Sequence, residues 1–340
     1  MINRFTPSEH SHNLLRAIEP ECSYSVRDDI SAFQAVAREK LAELLGINKI
    51  EKHVVSGDIA IEYDRFADDL GAREIKFYFE SEKDVFVPCY LFIPESERPL
   101  PLIVALHGHS TGAHTAMGRK KYSIDEGAIR EQRCDFAKQS VKNGYATLSV
   151  EQRAFGERGG NENGSCCSQA AMQALLLGRT LLGERVWDTR CAIDKALENF
   201  GSLIDEQRII CLGYSGGGTV AAYLSALDNR FYGSVIVSAI SRFCDSIGAV
   251  PHCACNYVPK IAKYFDMGEL CQLIAPRNLL IVSGDEDKIF PASGARTCVE
   301  KASLAYEAYS AKEKISHIIA SGGHRFYPDE VWEYIDRILN

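Results

Sequence analysis

Apolar and polar positions follow one rhythm before residue 100 and another after it. In the first part, Ile30, Phe33, Val36, Ala37, Leu41, Leu44 and Leu45 recur at helical spacing, which predicts a helix over residues 28–45 with these side chains on one face. Asp28 or Asp29 can cap it and Gly46 ends it. Residues 53–64 and 73–93 read as strands. The second stretch is rich in Phe, Tyr and Val, and its polar break at Glu80–Asp84 predicts a hairpin.

From residue 100 strands and helices alternate. Leu102–Leu106 is a continuous apolar run of the kind buried on both faces of a parallel sheet. A helix is expected at about 127–142, a strand at 145–150, a helix at about 184–200, a strand at 208–214 and a helix at 216–227. Strands at 233–239 and 278–283, a helix at 292–309, a strand at 315–320 and a helix at 328–339 complete the series. The pattern predicts an α/β fold with a mostly parallel central sheet flanked by helices. Residues 153–183 and 240–275 interrupt the rhythm and read as insertions. The expected organisation is an N-terminal extension over 1–70 packed on a catalytic domain over 71–340. Insertions leaving the carboxyl ends of such strands are candidate pocket walls.

Composition changes this picture little. With 46% hydrophobic and 25% charged residues, the 340-residue chain can bury a core without staples. A net charge of −8 argues against nucleic acid and against an anionic membrane surface as partners. The first 20 residues have no apolar stretch typical of a secretory signal, and no run is long enough to span a bilayer, so a cytoplasmic location is expected. Twelve cysteines then read as mostly reduced, buried, small apolar side chains. Two clusters stand out, Cys166-Cys167 and His252-Cys253-Ala254-Cys255.

The chemistry concentrates in Gly213-Tyr214-Ser215-Gly216-Gly217, which follows a strand-like run and opens a helix-like one. That context suits a sharp turn lifting a nucleophilic serine above a sheet, with glycines leaving room for helix and strand to approach. The helix N-terminus adds positive potential where an oxyanion would develop.

With this motif the chain resembles the α/β-hydrolase superfamily, in its acetyl-xylan-esterase-like and dienelactone-hydrolase-like branch, over roughly residues 75–340. The resemblance implies a Ser-His-Asp triad of Ser215, Asp287 and His324. Asp287 lies in Gly284-Asp285-Glu286-Asp287-Lys288-Ile289-Phe290-Pro291, with Asp285 and Glu286 as rivals, and His324 in Gly322-Gly323-His324. His317, inside the preceding strand, reads as packing or surface. Leu106-His107-Gly108-His109 resembles the oxyanion loop, which implies the backbone N–H groups of His109 and Gly216 as donors; the His107 side chain reads as a loop support. Glu151-Gln152-Arg153-Ala154-Phe155-Gly156-Glu157-Arg158 is similar to an Asp-x-Arg-Gly-x-Gly loop of related esterases, departing from it by Glu151 and Ala154. Arg153 there is either a loop lock or a substrate contact. Trp187-Asp188 resembles a pair that opens a helix by capping and packing.

Tyr214, Arg153, His252, Cys253 and Tyr257 are the candidate substrate-pocket residues. A thiol pair one residue apart with one histidine leaves a tetrahedral zinc short of ligands, so no metal is expected. Walker, Rossmann and HExxH motifs are absent, and no cofactor is expected. The expected function is a serine esterase acting through an acyl-enzyme on short-acyl, acetyl-type esters of small molecules or carbohydrates. A peptidase-like or lactone hydrolase, and a ligand receptor without catalysis, stay open. Relatives self-associate, which keeps a homo-oligomer among the expectations.

Overall fold

The computed structural model describes residues 6–26, 28–53 and 57–340. Among them, nine strands form one sheet: β1 (Ala60–Ala67), β2 (Ala72–Glu82), β3 (Val85–Pro94), β4 (Leu100–Leu106), β5 (Ala146–Val150), β6 (Ile204–Tyr214), β7 (Gly233–Val237), β8 (Asn278–Gly284) and β9 (Ile315–Ala320). Their order is β1-β2-β3-β5-β4-β6-β7-β8-β9. The first three strands run antiparallel, and β3 also meets β5 antiparallel. From β5 to β9 every pairing is parallel.

The apolar runs explain the layering. Successive side chains of a strand point to opposite faces. In β4, Leu102, Val104 and Leu106 enter one core, while Ile103 and Ala105 enter the other. The first core is closed by α2 (Ile30–Leu45), α7 (Leu181–Phe200), α8 (Gly216–Leu227), α10 (Met267–Gln272) and α11 (Ala292–Ala308). The second is closed by α5 (Phe136–Lys142) and α12 (Pro328–Leu339). The remaining helices are α1 (Pro7–Ala17), α3 (Ile47–Ile50), α4 (Asp125–Gln132), α6 (Cys167–Leu176) and α9 (Ile261–Tyr264). No helix among the described residues is long and apolar enough to cross a membrane.

Several elements depart from the sequence pattern, each for a local reason. The strand expected over 53–64 begins only at Ala60; His53 lies in a short 3-10 turn, and residues 54–56 are outside the described residues. The helix expected over 127–142 is two helices, because Arg133 takes a left-handed conformation (φ 52°) with no glycine or proline to signal it. The first insertion contains α6, and the second contains α9 and α10. On α2, Val36 points to solvent and Gln34 is buried in its place. The Gln34 side-chain amide donates to the carbonyls of Gln272 (2.9 Å) and Ala275 (2.8 Å), which satisfies a polar group that would otherwise be costly to bury. Arg38 adds a bond to the carbonyl of Ala226 (3.0 Å). Through these contacts and through Leu41 and Leu45, α2 lies against the same core as α7 and α8.

Candidate active site

Ser215 joins β6 to α8 at φ 52° and ψ −122°, a conformation that side-chain-bearing residues rarely adopt. Its N–H donates to the carbonyl of Val237 at the end of β7 (2.9 Å), which anchors the turn over the sheet. The flanking glycines are required by close approach. A Cβ on Gly213 would lie 2.2 Å from the Gly217 carbonyl oxygen, and one on Gly217 would lie 1.9 Å from that of Leu106.

His324 follows β9 and reaches back over this turn. Its Nε2 is 2.8 Å from Ser215 Oγ, and its Nδ1 is 2.8 Å from Asp287 Oδ2. The other carboxylate oxygen of Asp287 accepts the N–H groups of Ile289 (2.8 Å) and Phe290 (3.0 Å). Burial raises the affinity of this carboxyl for a proton, but the bond and charge of His324 and the two N–H donors outweigh it. The Asp287 pKa is therefore held below the ordinary carboxylate value. Of the two rivals, Asp285 is turned to the main chain: its Oδ1 accepts the N–H of Gly322 (2.8 Å), bracing the loop that carries His324. Glu286 is exposed. His317 sits in β9 against Ser283 Oγ (3.1 Å). Phe290 lies parallel to the His324 ring at 6.0 Å, a neighbour that the sequence pattern did not single out.

Beside Ser215, the loop after β4 brings His109 against the start of α8. A Cβ on Gly216 would be 2.6 Å from His109 Nδ1. Neither the His109 N–H nor the Gly216 N–H finds an acceptor among the described residues. His107 supports the loop, as its side chain was expected to do. Its Nδ1 is 2.9 Å from the Gly108 carbonyl oxygen, and its Nε2 lies 3.4 Å from both the Gln152 main-chain nitrogen and the buried Glu151 carboxylate. Gln152 also donates to the His107 carbonyl (2.6 Å).

The model of the abhydrolase family matches residues 4–307. The chain belongs to that family of hydrolases. The match takes in most of the N-terminal extension and strands β1 to β8, and it ends before β9 and His324. Among curated proteins, the chain is similar to one named "Putative hydrolase YtaP" from Bacillus subtilis (strain 168). The two are 28% identical over 243 residues, which is 70% of this chain and 77% of that one. Among solved structures it resembles a "putative acetyl xylan esterase" from Bacteroides fragilis NCTC 9343, with a TM-score of 0.79 and 16% identity. That likeness covers 99% of this chain and 96% of the other. It also resembles a glucuronoyl esterase from Solibacter usitatus, with a TM-score of 0.64 and 17% identity over 88% and 91% of the two chains. At these identities the likeness establishes a shared α/β-hydrolase fold.

In this abhydrolase, the candidate pocket residues divide into those near the serine and those bound elsewhere. Tyr214 is buried beneath His324, with ring centres 5.4 Å apart, and its hydroxyl bonds Gln132 Oε1 and the His324 carbonyl (both 3.2 Å). It supports the histidine from below. Arg153 is unavailable to substrate. It grips Asp188 with Nε (2.7 Å) and Nη2 (2.8 Å) and also bonds Glu82 (2.6 Å) and Glu184 (3.2 Å). Asp188 also accepts from Arg158 (2.7 Å) and Ser81 (2.7 Å), and despite full burial its carboxyl stays ionised well below the ordinary range. Trp187-Asp188 therefore lies inside α7 and does not open it; Thr180 is the cap, accepting the Gly183 N–H (2.9 Å).

His252 stands edge-on to Phe290 with ring centres 5.2 Å apart, and burial lowers its proton affinity. Tyr257 is exposed, and its hydroxyl donates to the Ile247 carbonyl (3.1 Å). Cys253 packs on Cys255 and Cys167, while Cys166 does not share that cluster. All twelve cysteines are free.

Proposed function

We propose that the chain hydrolyses carboxylic esters through an acyl-enzyme, with Ser215 as nucleophile. The observation that carries this reading is the unbroken line Ser215 Oγ–His324–Asp287, with two steps of 2.8 Å, beside two unpaired backbone N–H groups. His324 Nε2 takes the hydroxyl proton as Oγ attacks the ester carbonyl, and it returns a proton to the leaving alkoxide. Asp287 keeps the other ring proton on Nδ1 and stabilises the imidazolium. The N–H groups of His109 and Gly216 face the carbonyl oxygen as it becomes an oxyanion, where fixed donors act without reorganisation. A water activated by His324 then releases the acid.

For substrate, we propose short-acyl esters of the acetyl type, including carbohydrate esters. The support is the fold shared with the "putative acetyl xylan esterase" and with a glucuronoyl esterase, and shared fold is a weaker argument than site chemistry. The test is hydrolysis of p-nitrophenyl esters from acetate to dodecanoate by wild type and Ser215→Ala. Loss of turnover in the variant, with acetate preferred by wild type, is expected. Turnover surviving in Ser215→Ala would refute the nucleophile, and a preference for long chains would refute the acetyl assignment.

A further inference from the structure

Three thiols and an imidazole from three separate stretches of chain converge next to the nucleophile turn. His109 follows β4, Cys167 opens α6 in the first insertion, and in the second Cys253 precedes a short 3-10 turn (Ala254–Asn256) that contains Cys255. Their ligand atoms all lie within 4.8 Å of one another. His109 Nε2 is 3.1 Å from Cys255 Sγ, which is 3.3 Å from Cys253 Sγ. A tetrahedral zinc, with Zn–S about 2.3 Å and Zn–N about 2.0–2.1 Å, sets its donors about 3.5–3.8 Å apart. The observed spread brackets that range, so changes of up to about 1 Å in a donor–donor distance complete the shell. The sulfurs are too far apart for a disulfide, which needs about 2.05 Å.

A second observation comes from Arg185. The residue is only 1% exposed, and no carboxylate bonds its guanidinium among the described residues. Its Nη2 donates to Cys167 Sγ (3.0 Å), and its remaining bonds go to the Arg153 carbonyl (3.1 and 2.8 Å). A buried cation is costly without a counter-charge, and the sulfurs are the groups placed to supply it. Three thiolates, one divalent cation and Arg185 together sum to zero charge.

We propose that His109, Cys167, Cys253 and Cys255 form a closed site for Zn²⁺. On loading, three S–H bonds give way to three Zn–S bonds, the three protons pass to solvent, and no electron changes hands. All four positions are taken by protein, so the ion is structural and keeps no open place for water or substrate. It ties the loop bearing the His109 N–H to both insertions, holding in place the wall of the site. The count made from the second insertion alone fell short because two donors come from elsewhere in the chain, and His252 is not among the four.

The test uses the full chain and needs no substrate. After reconstitution with Zn²⁺ and removal of excess, metal analysis should find one zinc per chain. Replacement by Co²⁺ should give thiolate-to-metal charge-transfer absorption and tetrahedral visible bands. Cys167→Ser and Cys255→Ser should lose the metal, while Cys166→Ser, next in sequence but outside the cluster, should keep it. Trace zinc only in wild type, two thiols fewer than the chain's twelve after denaturation with chelator, or equal loss in Cys166→Ser would overturn the assignment. The wild-type metal count and cobalt spectrum decide the matter even if a serine variant fails to fold.

Discussion

Replacing Asp287 by asparagine separates the orientation of His324 from its mere presence. Oδ1 of Asp287 already accepts two main-chain N–H groups, from Ile289 and Phe290, at 2.8 and 3.0 Å. Asparagine has one oxygen, and those two donors claim it. Its NH₂ must then face His324 Nδ1, where a carboxylate oxygen stood at 2.8 Å. Two donors cannot share that contact, so Nδ1 becomes the acceptor and the ring proton moves to Nε2. There it points at Ser215 Oγ, and the ring can no longer take the hydroxyl proton. A wrong tautomer in otherwise intact geometry costs about 10⁴ in kcat in serine hydrolases, which is about 5 kcal/mol of barrier. The assay is kcat on p-nitrophenyl acetate, with the thermal midpoint measured in parallel to show that the fold is kept. A variant with unchanged midpoint that retained more than about a tenth of the wild-type kcat, a loss under about 1.4 kcal/mol, would refute the reasoning. Asp287 is held ionised below its ordinary range by the same contacts, so at neutral pH the wild-type side chain is a carboxylate that only accepts, which is the property asparagine removes.

Asp188→Ala should cost about 3–5 kcal/mol, because it leaves Arg153 and Arg158 buried without their shared partner. Denaturant titration at neutral pH measures it, and a loss under about 1 kcal/mol would contradict the buried-pair account. Because folding depresses the Asp188 pKa, its contribution is complete above the unfolded-state value of about 3.9 and fades as pH falls towards the folded one. The wild-type and variant stabilities should therefore converge below about pH 4. Gly217→Ala should destabilise by about 1–3 kcal/mol or more, since its Cβ would meet main-chain oxygens of Leu106 and His107 that no side-chain motion can relieve. Gly127→Ala, in α4 with open space around it, should instead stabilise by about 0.5–1 kcal/mol. Equal midpoints for the two alanine variants would contradict the packing described at the turn.

What the sequence determined by itself are features whose physical requirements are local. The turn at Ser215 needs small residues on either side and a strand and helix adjoining it, and all of these lie within about twenty residues. The buried strands announce themselves because a segment covered on both faces is apolar throughout, as Leu102–Leu106 is. His324 and, among three neighbouring acids, Asp287 were marked by the resemblance to the α/β-hydrolase superfamily. The tertiary structure alone decided features that depend on partners far along the chain. A buried Gln34 and an exposed Val36 follow from carbonyls at the end of α10 and just beyond it, more than two hundred residues away. Arg153 is removed from the pocket by acids on β2 and α7. The break at Arg133 has no composition signal, because an αL residue without glycine is held by its surroundings. The meeting of His109, Cys167, Cys253 and Cys255 rests on where two insertions fold back over the sheet, and no spacing along the chain encodes a distance between loops that are joined only through the core.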